Sequence, residues 1–565
     1  MKRFQIFAIT ALALVSILLT QCAPAPAAST QAPAAATQAP AAAATTAPAA
    51  ATAAAAQPSG KRVLRATFSW PDRIDPAIGN DYASSSSQVN LYDSLVFPNA
   101  KGSVDPWLAE SWKVSQDGLT YTFKLRSGVK FHDGTTLKAS DVAYSYDRAK
   151  TIGQGYGYLI TADVASVKAV DDSTVEFTLV KPSALFLPSM VRMYVLNQAL
   201  VKKNTKAQGA YAENGDYGTE WLQTHDAGSG AYTVKEFPLE QYLLMSKFGD
   251  WWGKFNPNAP DEVRFIGTTE AVTVRTLLQN KELEISDQWQ SFEAYQALEK
   301  IDGVKIAALQ GMTSFYYMIN TKKAPTDDVN CRKAMSYAFD YNQAVGLEWP
   351  GTKQMVGPVP ATLAGHDSSV LVYTRDLVKA KAELAKCKYA NELDKYPISV
   401  NWVSEVPDEE KYALLFQSNM ADIGMKVDII KVPWLSLVEN TSKLETSPSI
   451  ATIYVSSDLP EAGLMLKQRY SSSTNGTWQQ NEWLQDKDID AAIDDALSTL
   501  DDQARFAKYA EIQKKLVDLA PSLWLYDQVE KHAYRTCVDW PATRGETSLI
   551  QGYEFFVPNI AVNCQ

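Results

Sequence analysis

Histidine is scarce in this chain, with four in 565 residues, and no two stand three to five residues apart. That spacing argues against a paired-imidazole metal site, the usual way a helix or hairpin holds zinc, nickel or haem iron. Cysteine is nearly as rare, with five residues and no CxxC pair, so a zinc ribbon is not expected. Long basic runs are missing and the formal net charge is −11. A phosphate backbone needs a basic stripe, so nucleic acid is not an expected partner. No cofactor and no metal are expected.

What is present points outward from the cell. The start, "MKRFQIFAITALALVSILLTQC", places Lys2 and Arg3 before an apolar run from Phe7 to Leu19. That run is a secretory signal over 1–21, too short to span a bilayer comfortably. Leu19-Thr20-Gln21-Cys22 resembles a bacterial lipobox, which marks Cys22 for lipidation, although Gln21 departs from the usual small residue. Residues 23–60 hold only Ala, Pro, Thr, Ser, Gln and a final Gly. With no large apolar side chain to bury, 22–60 reads as a lipidated Cys followed by a disordered tether, roughly 100 Å long if extended. The implied location is extracytoplasmic, at the membrane surface, through a lipid anchor. Four cysteines remain there in an oxidising setting, and three pairings are possible. The sequence-local one, Cys331–Cys387 with Cys537–Cys564, is favoured.

The body, at 46% hydrophobic and 21% charged, has ample material for large cores. "VLRATFSW" alternates as a strand, and "LTYTFKLRSGVKFHDG" reads as two strands joined at Ser127-Gly128. Ser140 is placed to cap a helix over 141–149. Helices are expected at 269–280, 329–345 and 373–389, and a helix pair ends at Pro521. Strands are expected at 398–403 and in the apolar, β-rich "IATIYVSSD". Strand–helix–strand alternation in the second half argues a mixed α/β lobe.

His132-Asp133, inside "KFHDGTTLKASDVAYSYDR", has the look of half a catalytic site. Asp133-Gly134 is a turn, however, and no Ser or Cys nucleophile sits in an elbow nearby. A structural His132 is the expectation. "GQGYGY" at 153–158 lacks the strand-to-helix setting of a phosphate loop and reads as a flexible loop. "DKDID" at 486–490 has Ala491 and Leu497 where a calcium loop needs Gly and Glu. Carboxylates are plentiful, so a secreted hydrolase using a carboxylate pair stands as a rival, though nothing selects the pair.

The segments "YDSLVF", "DPWLAESWKVSQDGLTYTFKLRSGVKFHDGTTLKASDVAYSYDR", "GSGAYTVKEF", "FYYMIN", "DDVNCRKAMSYAFD" and "DDQARFAKYAEIQKKLVDLAPSLWLY" occur in this order across 63–535. Together they resemble the extracytoplasmic solute-binding proteins of the oligopeptide/dipeptide (family 5) ABC-importer type. The resemblance implies an α/β, two-lobe periplasmic-binding-protein fold with a hinge that closes on ligand. Lobe I would cover 61–311 with an accessory subdomain at about 97–220. Lobe II would cover 312–526, and 527–565 would return to lobe I. No enzyme activity is implied. The expected partners are a small-molecule or oligopeptide ligand and the transmembrane subunits of an ABC permease, with the binding protein a monomer. A sensor role is the other use of the same closed state.

Peptide binders of this type pair the ligand's α-amine with an Asp in a segment like W-x-x-D-Y-x-D-P. "YVSSDLPEAG" places Asp458 on it, while Leu459, Glu461 and Ala462 depart. Dipeptide binders carry an Arg after the strand that matches 398–403, and "VSEVPDEE" has none. Longer peptides remain open, as do oligosaccharides stacking on Trp70, Trp402 or Trp478.

Overall fold

The computed structural model describes residues 60–68, 73–404, 406, 408–548 and 550–564. The signal, Cys22, the tether as far as residue 59, and Trp70 lie outside the described residues.

Two long strands organise the body. Val304–Ile319 runs antiparallel to Ser522–Arg535, with pairing from Val304↔Arg535 to Met318↔Ser522. Their register shifts between Gln310 and Ser314. At one end they join a six-stranded sheet ordered Lys353–Gln354, Ser522–Arg535, Val304–Ile319, Ile450–Ser456, Ile398–Val403, Val427–Val432. At the other end, Ile285 bridges both Tyr534 and Ala66. Ala66 belongs to a four-stranded sheet of Val63–Phe68, Glu262–Gly267, Tyr242–Lys247 and Tyr232–Glu236. A third sheet, antiparallel throughout, takes Ala109–Val114, Thr120–Leu125, Thr174–Leu179 and Val164–Asp171. After Arg535 the chain folds back on the first part: Asn90 Nδ2 donates to Phe555 O (2.8 Å) and Val557 N donates to Asn90 Oδ1 (2.9 Å).

Several local expectations shift for identifiable reasons. The helix expected at 141–149 spans Ala139–Ile152 and its N-cap is Lys138, not Ser140. Asp141 reaches back to accept the Lys138 N–H at 2.9 Å, which moves the start upstream. The expected hairpin partner of Thr120–Leu125 does not form; that strand pairs with Ala109–Val114 and Thr174–Leu179 instead. Turns at Gly128 and Gly134 lie too close to leave a strand between them, and only the Lys130↔Thr136 bridge remains. The helix expected at 329–345 breaks into Val329–Ala338 and Tyr341–Gly346. Asp340 caps the second piece by accepting the Gln343 N–H, while its own N–H goes to Asn419 Oδ1.

Both disulfides, Cys331–Cys387 and Cys537–Cys564, are formed. Much of the tryptophan content is structural. The buried Asp93 carboxylate accepts from Trp107 Nε1 (2.8 Å), Trp252 Nε1 (3.0 Å) and Ser229 Oγ (2.9 Å). Burial raises the pKa of this carboxyl even so.

Candidate functional site

His132 is a fastener. Its Nδ1 bonds Asp226 rather than Asp133, its Nε2 donates to Gly230 O at 3.0 Å, and its ring packs edge-on to Phe248. Burial opposes its charge, but the Asp226 carboxylate outweighs that and raises its pKa. Asp133 is spent on its turn, accepting the Thr135 N–H at 2.9 Å.

The strand Ile450–Ser456 is buried along most of its length and runs parallel to Ile398–Val403. Beyond its carboxyl end lie Ser457, Asp458 and the helix Ala462–Tyr470. Ligands in open α/β sheets bind outside such ends. Ser457 closes the turn, donating to Leu459 O at 2.6 Å, so Asp458 is not used as its cap. Glu461 is held from behind by Arg505 (2.8 and 3.1 Å), which anchors the start of the helix. Asp458 faces forward and accepts a hydrogen bond from Tyr158 Oη.

Two arginines bear on the same carboxylate. Arg192 ends the Met190–Arg192 turn, and its guanidinium lies 4.3 Å from the Tyr156 ring centre and 5.4 Å from that of Tyr553. Arg469 sits on the helix after Asp458, with its guanidinium 5.1 Å from the Trp478 ring. Both feel the Asp458 charge. Burial works against the Arg469 cation and lowers its pKa. Gln468 is also buried, and its side chain interacts with the Tyr158 phenol. Beside Tyr158 and Leu459 opens a cavity of about 170 Å³, whose lining includes Leu159, Phe186, Leu464 and Gln468.

Of the aromatic candidates, Trp478 stands in this group, its ring also 5.1 Å from Trp434. Trp402 is only 2% exposed, with the Lys431 ammonium 5.0 Å from its ring. Asp328, Cys331 and Cys387 come close enough for a metal, but both cysteines are oxidised and Asp328 caps the helix that begins at Val329.

Sequence reasoning missed Tyr156, Tyr158, Arg192, Gln468 and Arg469. "GQGYGY", read as a flexible loop, delivers both tyrosines. Gly153 ends one helix at φ 64°, Gly155 turns the chain at φ 53°, and Gly157–Thr161 is helical. The visible signal was aromatics punctuated by glycine.

A six-stranded and a four-stranded sheet linked by two long strands with an interrupted register, and polar groups gathered at a strand's carboxyl end, describe a two-lobe binding protein. Residues 103–477 match the model for bacterial extracellular solute-binding proteins, family 5 Middle. The chain belongs to that family. Its members bind solutes and catalyse nothing, which removes the hydrolase alternative. Among curated relatives, the chain is 28% identical over 471 residues to a probable D,D-dipeptide-binding periplasmic protein of Escherichia coli strain K12, covering 81% of this chain and 87% of that protein. It is 25% identical over 502 residues to heme-binding protein A of Haemophilus influenzae, covering 83% and 87%. A solved periplasmic binding protein from Helicobacter pylori, in complex with peptide STSA, superposes with TM-score 0.73 at 24% identity, covering 89% of this chain and 99% of that one. That likeness speaks to the two-lobe α/β fold. No described helix is long and apolar enough to cross a membrane.

Proposed function

We propose that this chain is the lipid-anchored capture component of an ABC importer, taking a peptide-like solute into its interlobe cleft and handing it to permease subunits. The observation that carries the reading is Asp458, projecting past the end of Ile450–Ser456 with its carboxylate turned to Tyr158 instead of its own turn. In the cleft its role is to hold the solute's ammonium, while the cavity beside Tyr158 takes an apolar side chain. The similarity to a probable D,D-dipeptide-binding protein of E. coli supports the peptide class.

Lobe I would be 61–311, including the subdomain at about 97–220, and lobe II 312–526, with 527–565 returning to lobe I. The hinge would lie where Val304–Ile319 and Ser522–Arg535 lose register, between Gln310 and Ser314. Cys22 would carry the lipid and 22–60 would be the tether. Trp478 would flank the solute.

Native mass spectrometry of the protein as purified tests the solute class. A retained peptide supports the reading, and a retained sugar replaces it with oligosaccharide uptake. For the anchor, Cys22→Ala should leave the detergent phase; normal partitioning by that variant would refute lipidation.

A further inference from the structure

The third sheet touches the far half of the chain at a seam away from Asp458. The helix Lys487–Leu497 and the helix Asp502–Leu519 meet there through a short connection holding Leu500. From the sheet side, the Ala184 N–H donates to Leu497 O at 2.9 Å. Lys181 Nζ lies 3.9 Å from the Asp494 carboxylate. The turn at Gly118, where φ is 71°, lies flat under Leu500, and a Cβ there would stand 2.6 Å from Leu500 Cδ1. Pro182 closes the other side of Gly118 at 3.5 Å. None of Gly118, Lys181, Ala184, Asp494, Leu497 or Leu500 lines the cavity beside Tyr158.

Two features make this seam complementary. The last carbonyls of a helix have no partner within it, and its C-terminal end favours a cation. The last turn of Lys487–Leu497 contains Asp494 and Asp495 and no basic residue of its own. Ala184 supplies a donor and Lys181 a positive charge, both from a segment some 300 residues earlier, so this helix end is capped from the other side of the seam.

Two further features make it separable. Its contacts come from turns and element ends. The ion pair is exposed on both sides, at 48% and 69%, and Leu500 is 41% exposed even with Gly118 against it. Each polar group can exchange its partner for water at little net cost. The third sheet also keeps its own core when parted, because Phe186 packs on Tyr121 at 4.6 Å and on Phe177 at 5.5 Å.

We propose that the third sheet is a closure latch. Its turns cap the C-terminal end of Lys487–Leu497 when the lobes close and leave it when they open, so part of the closing free energy is set outside the solute's own contacts. The proposal rests on the lobes and hinge given above and not on the class of solute.

Spin labels on Gln116→Cys and Ala491→Cys, two exposed positions flanking the seam, report it in the full chain carrying Cys22→Ala, since the other four cysteines are oxidised. Without solute, the distance distribution should hold a short component matching this structure and a longer one. Lys181→Glu should shift the ratio toward the longer component by roughly threefold, the scale of an exposed pair. Leu500→Asp should shift it further, and adding Asp494→Lys to Lys181→Glu should restore it. A distribution unmoved by all three changes, or one without the short component, overturns the latch. Small-angle scattering with a tryptic digest of casein separates the latch from the readings beneath it. Compaction by the digest with an unmoved seam distance refutes the latch and keeps the hinge. Charge-dependent seam distances that the digest does not alter keep the latch and count against a peptide solute.

Discussion

Tyr158 and Asp458, 300 residues apart in sequence, share a hydrogen bond between phenol and carboxylate. It joins the short helix after a glycine-rich turn to the end of a strand in the six-stranded sheet. Asp458 also bears on Arg192 and Arg469. Its removal should therefore weaken a peptide-like solute by about 100-fold or more, because one partner of a desolvated pair is left behind. The empty protein should lose about 1–2 kcal/mol as well. Calorimetry and melting of Asp458→Ala measure both, and wild-type affinity in the variant would remove Asp458 from the site.

Asp75 and Arg148 form a buried ion pair, and Asp75 Oδ1 also accepts the Ala77 N–H at 3.0 Å. Asp75→Ala should cost about 3–5 kcal/mol, since Arg148 would be left charged and unpaired. Combining Asp75→Leu with Arg148→Met should recover most of that loss in urea unfolding. An equally unstable double variant would show that packing dominates there.

The His132–Asp226 pair predicts a pH signature. His132 is raised above its ordinary 6.5 and Asp226 is lowered below 3.8. The histidine's contribution is complete below the unfolded value and lost as pH rises through the folded one. The carboxylate's is complete above 3.8 and lost as pH falls through its folded value. His132→Asn should therefore lower Tm more at about pH 5.5 than at about pH 9. A pH-independent difference would contradict the charged pair.

Glu409 is a carboxyl raised where Asp226 is lowered. It is 1% exposed and accepts from Val403 N and Thr452 Oγ1, both at 2.9 Å. Burial pushes its pKa from 4.5 up to about 8. The unfolded chain binds fewer protons in that window, so stability is greatest at the acid end and falls as pH rises. Glu409→Gln should flatten the decline, removing a slope worth on the order of 5 kcal/mol across the window. Denaturation midpoints at both ends of the window supply the measurement.

Opening the Cys331–Cys387 disulfide by alanine substitution should cost about 2–4 kcal/mol. The Cys537–Cys564 bridge should cost somewhat less, because it closes 27 residues rather than 56. Paired alanine variants in guanidinium unfolding give the comparison.

The sequence by itself determined the features set by neighbours along the chain. Alternation marked Ile398–Val403, and apolar β-branched residues marked the strand Ile450–Ser456 that carries Asp458 to its end. The turn chemistry at Asp133-Gly134 separated His132 from catalysis, because a carboxylate committed to a local N–H is not free to orient an imidazole. Ordered family segments carried the two-lobe fold. Tertiary structure alone decided what depended on distant partners. Asp226 lies 94 residues from His132, and Tyr158 lies 300 from Asp458. Arg192 and Arg469 look in sequence like the satisfied Arg148 and Arg505. What distinguishes them is the absence, among the described residues, of a carboxylate at ion-pair distance, and only the packing of separate segments determines which buried charges meet a carboxylate.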